Sequence, residues 1–154
     1  MKLESTAFAE GGKIPIRYTG EGDDLSPPLS WSGVPPGTKS LVLIVDDPDA
    51  PDPAAPKTVW VHWLLYNIPP SMTGFSEGMD KPPRGIDEGL NDWKVPGYNG
   101  PLPPTGRHRY FHKLYALNTV LSFSDTPTKA VLEKAMRGHV LTEATLIGTY
   151  QSKK

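Results

Sequence analysis

The chain contains no cysteine. That excludes disulfides, thiolate metal ligands and a cysteine nucleophile. It also lacks a long apolar run. Its longest clean aliphatic stretch, Leu41 to Val45, is far too short to cross a bilayer. No charge of one sign dominates: 16 Lys and Arg against 17 Asp and Glu leave a net charge of -1. The basic residues are scattered rather than striped, so bulk electrostatics recruit neither nucleic acid nor an anionic membrane. Glu4 interrupts the first residues and no signal-peptide core follows, so a soluble cytoplasmic protein without a transmembrane segment is expected. There is no nucleophile motif, no cofactor motif and no metal-ligand motif. The sequence alone therefore predicts neither a cofactor nor a metal.

Proline and glycine are plentiful, at 18 and 15 residues. They sit between strongly apolar segments and read as rigid turns rather than disorder. With 37% hydrophobic and 21% charged residues in 154, the composition supports one core, and a single domain over 1–154 is expected. Leu41 to Val45 reads as a strand buried on both faces. Val59 to Tyr66 reads as a second strand. Alternation puts Trp60, His62, Leu64 and Tyr66 on one face and Val61, Trp63 and Leu65 on the other. Arg109 to Asn118 is a third, with His108, Tyr110, His112 and Leu114 sharing a face. Shorter strands are predicted at Ile14–Ile16, Leu29–Trp31 and Ile147–Gln151. One helix is predicted, capped by Thr126, with Pro127 at its first position and Gly138 at its stop. Leu141 to Leu146 reads as a further turn of helix. Many strands with helix only near the end predict a mostly β fold: a β-sandwich with a C-terminal helix. Residues 67 to 106 form a long Gly/Pro-rich connection leading into His108, the kind of loop that carries function.

Two stretches concentrate the chemistry: Asp47-Pro48-Asp49-Ala50-Pro51 with His62 shortly after, and Gly100-Pro101-Leu102-Pro103-Pro104-Thr105-Gly106-Arg107-His108-Arg109-Tyr110. Read singly, each residue has a structural explanation. Asp47 and Asp49 suit a turn, Pro51 suits a tight turn with a cis bond, and His62 suits a hydrogen-bonded core position. Tyr110 suits a core ring with its hydroxyl at the rim. His112 and His139 read as structural, and Arg109 as a partner for a carboxylate or carbonyl. Jointly, two acids, two histidines and a phenol at strand ends beside stiff loops point to a small polar pocket.

The chain resembles the phosphatidylethanolamine-binding protein family, in its prokaryotic Raf kinase inhibitor-like, YbhB/YbcL-like branch. Tyr18-Thr19, Ser26 to Trp31, Asp47 to Pro51, Trp60 and His62 carry the resemblance. So do Asn91-Asp92, Gly97-Tyr98, Gly100-Pro101, His108 to Tyr110, Gly138 to Leu141 and Gly148 to Tyr150. The resemblance implies a β-sandwich with a small anion pocket at one end. Its binding residues would be Asp47, Asp49, Pro51, His62, Gly100, Pro101, His108 and Tyr110, holding phosphate-like or carboxylate groups. It further implies links to phospholipid head groups and to kinase or protease inhibition, and homodimers among prokaryotic relatives. Positions where bacterial members often carry cysteine hold Gly20 and Leu102, so no thiol-dependent property is expected.

In the mechanism this implies, His62 and His108 are the anion donors. Asp47 or Asp49 orients an imidazole, and loop N–H groups around Gly100 add neutral donors. Anion affinity should then rise as the pH falls. Two rival readings are a metal-dependent phosphoester hydrolase built on the Asp/His cluster and an inhibitor acting through a surface loop.

Overall fold

Long β-branched and aromatic runs form the strands of this chain. The computed structural model describes residues 1–79 and 81–153. In chain order the elements are β1 (Lys2–Glu4), a 3₁₀ turn (Ile16–Tyr18), β2 (Leu29–Ser32), β3 (Ser40–Ala50), β4 (Thr58–Ile68), β5 (Gly74–Phe75), β6 (Asp87–Glu88), β7 (Arg107–Leu117), α1 (Lys129–Met136) and β8 (Val140–Gln151). One sheet has the order β6-β4-β3-β7-β8 and the other β1-β2-β5, with every neighbouring pair antiparallel. The fold is the mostly β sandwich that the pattern predicts.

β3 lies at the centre of the larger sheet, which explains its uninterrupted apolar run. Leu41, Leu43 and Val45 join Trp31 and Phe75 of the small sheet in one core cluster. Val42 and Ile44 join Leu64, Leu132 and Met136 in a second cluster beneath α1. Leu132 is fully buried, worth roughly 1.5–3 kcal/mol in pinning the helix to the sheet.

Several details differ from the sequence pattern. The helix starts two residues later than predicted. Thr128 is the cap, its side chain accepting from the Val131 N–H, because the Pro127 carbonyl is taken outside the helix by the Leu90 N–H. The helical turn expected at Leu141–Leu146 is strand: β8 pairs with β7 along its length. Its burial alternates through Ala144, Leu146, Gly148 and Tyr150, so sheet pairing overrides local helix propensity. The strand expected at Ile14–Ile16 is also absent. Pro15 removes a donor, leaving one bridge between Lys13 and Thr149 and then the 3₁₀ turn.

β4 carries the change that matters for the site. Val45 pairs with Trp63, but Asp46 pairs with Val61, so His62 is an extra residue in a bulge. Strict alternation would have grouped Val61 with Trp63. The bulge instead puts Val61 under the helix with Leu64 and Tyr66, and lets His62 and Trp63 both serve the opposite face. Bulges of this kind re-aim side chains next to sites.

Candidate functional site: a small cavity at the strand ends

β3 and β7 are neighbours in the sheet, so the exit of β3 and the entry of β7 meet. There, the buried Asp47 and His108 lie with His108 Nδ1 and Asp47 Oδ2 2.6 Å apart. The other carboxylate oxygen of Asp47 accepts the Asp49 N–H at 2.7 Å. Nε2 of His108 faces the Thr105 carbonyl at 2.8 Å. A carbonyl only accepts, so Nε2 carries a hydrogen, and one further hydrogen lies between Nδ1 and the carboxylate. Both nitrogens of His108 are thus committed within the protein. Burial pushes the Asp47 carboxyl up, against the opposing hydrogen bonds from His108 and the Asp49 N–H.

His62 is 3% exposed. Its Nδ1 donates to the Asn99 carbonyl at 2.6 Å. Burial lowers its pKa to about 4 and outweighs the Asn99 and Gly100 backbone and Asp46, which favour the charged ring. The ring is therefore neutral near pH 7, and with Nδ1 donating, its lone pair sits on Nε2. Tyr110 is 1% exposed, and its buried hydroxyl has no partner among the described residues. Burial, then the nearby Asp47, push that phenol well above its ordinary range. Its ring meets His62 edge-on at 5.2 Å and stacks near His108 at 6.4 Å.

These residues bound a cavity of about 290 Å³. Asp47, His62, His108 and Tyr110 supply its polar lining. Pro51, which follows a cis peptide bond, Trp60 and Trp93 form one wall, and Leu102, Pro103 and Pro104 another. Trp93 stands edge-on to both Trp60 (5.5 Å) and His62 (5.2 Å). A larger hollow of about 630 Å³ lies between the N-terminal segment and β8. Its charged residues are at the surface and already engaged: Lys2 with Glu4 at 2.7 Å, and Glu10 with the Ile147 N–H at 2.9 Å. The smaller cavity is the one with buried, titratable and unpartnered groups.

Of the residues singled out from sequence, Asp47, Pro51, His62, His108 and Tyr110 come together around this cavity. Asp49, Gly100 and Pro101 do not line it. Asp49 turns to Arg109, accepting from its backbone N–H, Nε and Nη2, each at 2.9 Å. That guanidinium holds the Asp49 carboxyl below the usual carboxylate range, despite some burial. The Gly100 N–H is spent on Asp24 Oδ1 at 2.7 Å and is not a free donor. A Cβ at Gly100 would collide with the Tyr18 carbonyl oxygen. Pro101 offers its carbonyl to the Gly20 N–H at 2.8 Å. These two residues brace the loop, and the next three form the wall.

The sequence reading gave no site role to Trp93, Asn91, Asn99 or Thr105, although Asn91 is among the residues that carry the resemblance and Thr105 lies in a stretch it quoted. Asn91 is buried. It folds the Trp93 loop by accepting the Trp93 N–H (2.9 Å) and donating to the Gly97 carbonyl (3.0 Å). An Asn-Asp pair before an exposed Trp in a Gly/Pro loop is the only local signal for it. No group of three or more His, Asp or Glu side chains among the described residues is placed to hold a metal ion. No helix among the described residues is long and apolar enough to cross a membrane.

Comparison with known proteins bears on the chain as a whole. The model for the phosphatidylethanolamine-binding protein family matches residues 4–151. A UPF0098 protein of Methanothermobacter thermautotrophicus is 51% identical, over 98% of this chain and 99% of the relative. A solved phosphatidylethanolamine-binding protein homologue from Chlamydia trachomatis superposes with a TM-score of 0.90 at 43% identity, over 99% of this chain and 97% of that one. YbcL of E. coli, described as a member of the mammalian family, gives 0.88 at 31%, over 99% and 98%. Nearly the whole chain, from β1 to the end of β8, is matched at this level, and it belongs to the phosphatidylethanolamine-binding protein family.

Proposed function

We propose that this protein, as one domain over 1–154, is a non-catalytic binding module whose cavity holds a small phosphate-like or carboxylate group. The group could be carried by a phospholipid head group or by a phosphorylated or acidic small molecule. One observation carries the reading. The Tyr110 hydroxyl is buried and unpartnered in the lining of a cavity whose other polar groups are already oriented by the protein. Buried hydroxyls are nearly always hydrogen-bonded, so this one is placed for a ligand atom. The volume, about 290 Å³, suits a head group rather than a drug-sized molecule.

Asp47, Pro51, His62, His108 and Tyr110 form the proposed site. Asp49, Gly100 and Pro101 support it from behind. A hydrolase reading draws no support from the geometry. Asp49 is clamped by Arg109, Asp47 is shared with His108, and no activated nucleophile faces the cavity. Nothing in the arrangement selects a kinase or protease partner.

The test is calorimetric titration of the purified protein with inorganic phosphate and with phosphoethanolamine. One-site saturable binding, lost in His108→Ala, is expected. No saturable heat with either compound would overturn the reading, as would phosphatase turnover abolished by Asp47→Ala.

A further inference from the structure

The outer edge of β8 is partly covered, and its bare part is arranged to take another strand. β8 ends the larger sheet, with β7 on one side of it. Towards its C-terminal end, the N-terminal segment lies along the other side. The Gly11 N–H donates to the Ile147 carbonyl (2.7 Å), the Ile14 N–H to the Thr149 carbonyl (2.8 Å) and the Thr149 N–H to the Gly12 carbonyl (2.8 Å). The Ile147 N–H is met by a side chain instead, Glu10 Oε2 at 2.9 Å, and there the segment leaves the edge. Ile147 and Thr149 thus turn their backbone groups away from β7. The period of two carries that orientation on to Thr145 and Glu143, which stay in register with Lys113 and Tyr115. Their two N–H and two C=O groups have no partner among the described residues.

The side chains beside this edge alternate in character. The hollow of about 630 Å³ opens on the core face, where Leu3, Phe8, Ala144 and Leu146 line it. On the opposite face stands Glu143, exposed and without an ion pair among the described residues. Glu4 and Glu10 add two carboxylates at the rim of the hollow, against one cation, Lys2.

We propose that this edge docks an extended segment of another protein in which basic and apolar residues alternate. The segment pairs with Glu143 and Thr145 through its backbone, as an added antiparallel strand. Its residues opposite Glu143 and Thr145 share their face, so a Lys or Arg there meets the Glu143 carboxylate. The apolar residue between them, opposite Ala144, points into the hollow. A second copy of this chain fits less well, because it brings its own Glu143 and Glu10 to an edge that already carries them. The surface is separate from the strand-end cavity, whose His108 pairs with Tyr150 at the far end of β8.

The probe is the labelled peptide acetyl-Lys-Val-Lys-Val-Lys-Val-Lys-amide, titrated into the full-length protein and followed by fluorescence anisotropy and amide NMR. Saturable binding is expected, with the Glu143 and Thr145 amide signals moving and those of His62 and Tyr110 unmoved. In this register the lysine N–H groups face the edge and the valine N–H groups face solvent. N-methylation of the lysines should therefore weaken binding at least about tenfold, and N-methylation of the valines should leave it nearly unchanged. Glu143→Lys should weaken the lysine peptide about fivefold and strengthen its glutamate counterpart. Thr145→Pro removes an outward N–H that the fold does not use, so it should abolish binding while β8 stays in the sheet. No saturable binding to the wild type would overturn the proposal, as would equal binding of the lysine and glutamate peptides. Equal binding of the lysine-methylated and unmethylated peptides would also overturn it. Dimerisation abolished by Thr145→Pro, with no peptide binding, would assign the edge to a second copy instead. The methylated peptides are compared on the wild type, so they decide the matter even if a variant does not fold.

Discussion

Tyr110→Phe is the sharpest perturbation the structure offers, because stability and binding should move in opposite directions. The substitution removes one oxygen. The ring keeps its stacking on His108 and its edge contact with His62. What disappears is a hydroxyl that is buried and unpartnered without ligand. An unsatisfied buried hydroxyl costs about 1–3 kcal/mol. A cavity of about 290 Å³ admits water, which offsets part of that cost, so the lower end applies. The free variant should therefore be about 1 kcal/mol more stable than wild type, a rise of roughly 2–4 °C in Tm for a domain of this size. The same change removes a donor to the ligand, worth about 1 kcal/mol and hence roughly a fivefold loss of phosphate affinity. The assay is urea unfolding with and without saturating phosphate, together with titration of the folded protein. In phosphate the order of stability should approach equality or reverse, because ligand binding adds more to the wild type. A variant that loses more than about 1 kcal/mol without ligand while binding phosphate normally would refute the reasoning. It would show that Tyr110 Oη has a structural partner after all.

Two further outcomes test the surrounding framework. His62 and His112 are buried with pKa values lowered to about 4 from 6.5. Their folded forms bind fewer protons than the unfolded chain, so their stability contribution is complete above about 6.5 and is lost as the pH falls towards 4. Each costs about 2 kcal/mol between pH 7 and pH 5, partly opposed by Asp47, whose raised carboxyl acts in the other sense. Urea midpoints should drop steeply over that range and less so in His112→Gln, whereas a flat profile would mean that the rings are hydrated. Gly148→Ala places a Cβ 2.6 Å from Ile14 and 2.8 Å from the Phe8 ring, a cost of about 1–3 kcal/mol. An unchanged melting temperature would show that the N-terminal segment does not pack on β8 as described.

How far the sequence carries the argument depends on where each determinant lies along the chain. The long strands were legible, and so were five of the side chains that line the cavity: Asp47, Pro51, His62, His108 and Tyr110. A doubly buried run such as Leu41–Val45 permits one environment, and polar residues at the ends of such runs in stiff loops converge when the strands pair. The helical turn read into Leu141–Leu146 failed because pairing with β7, a non-local term, decides that segment. The bulge at His62 was invisible for the same reason: it exists only as a register mismatch between β3 and β4.

The hydrogen-bond duties of the site were least legible, and they decide its chemistry. From sequence, His62, His108 and Gly100 all look like donors for an anion. Each is instead set by a partner that no local pattern announces: Asn99 for His62, Asp47 and Thr105 for His108, and Asp24, 76 positions away, for Gly100. Sequence left the effects of burial and nearby acids on the histidines unranked. For His62 burial outweighs the Asn99 and Gly100 backbone and Asp46, the acid that favours the charged ring and that two lysines already share. The residue types of a pocket thus follow from strand ends and loops. Whether it gives hydrogens or takes them follows from contacts one layer further out: Asn99 behind His62, Asp47 and Thr105 around His108, and Asp24 behind Gly100.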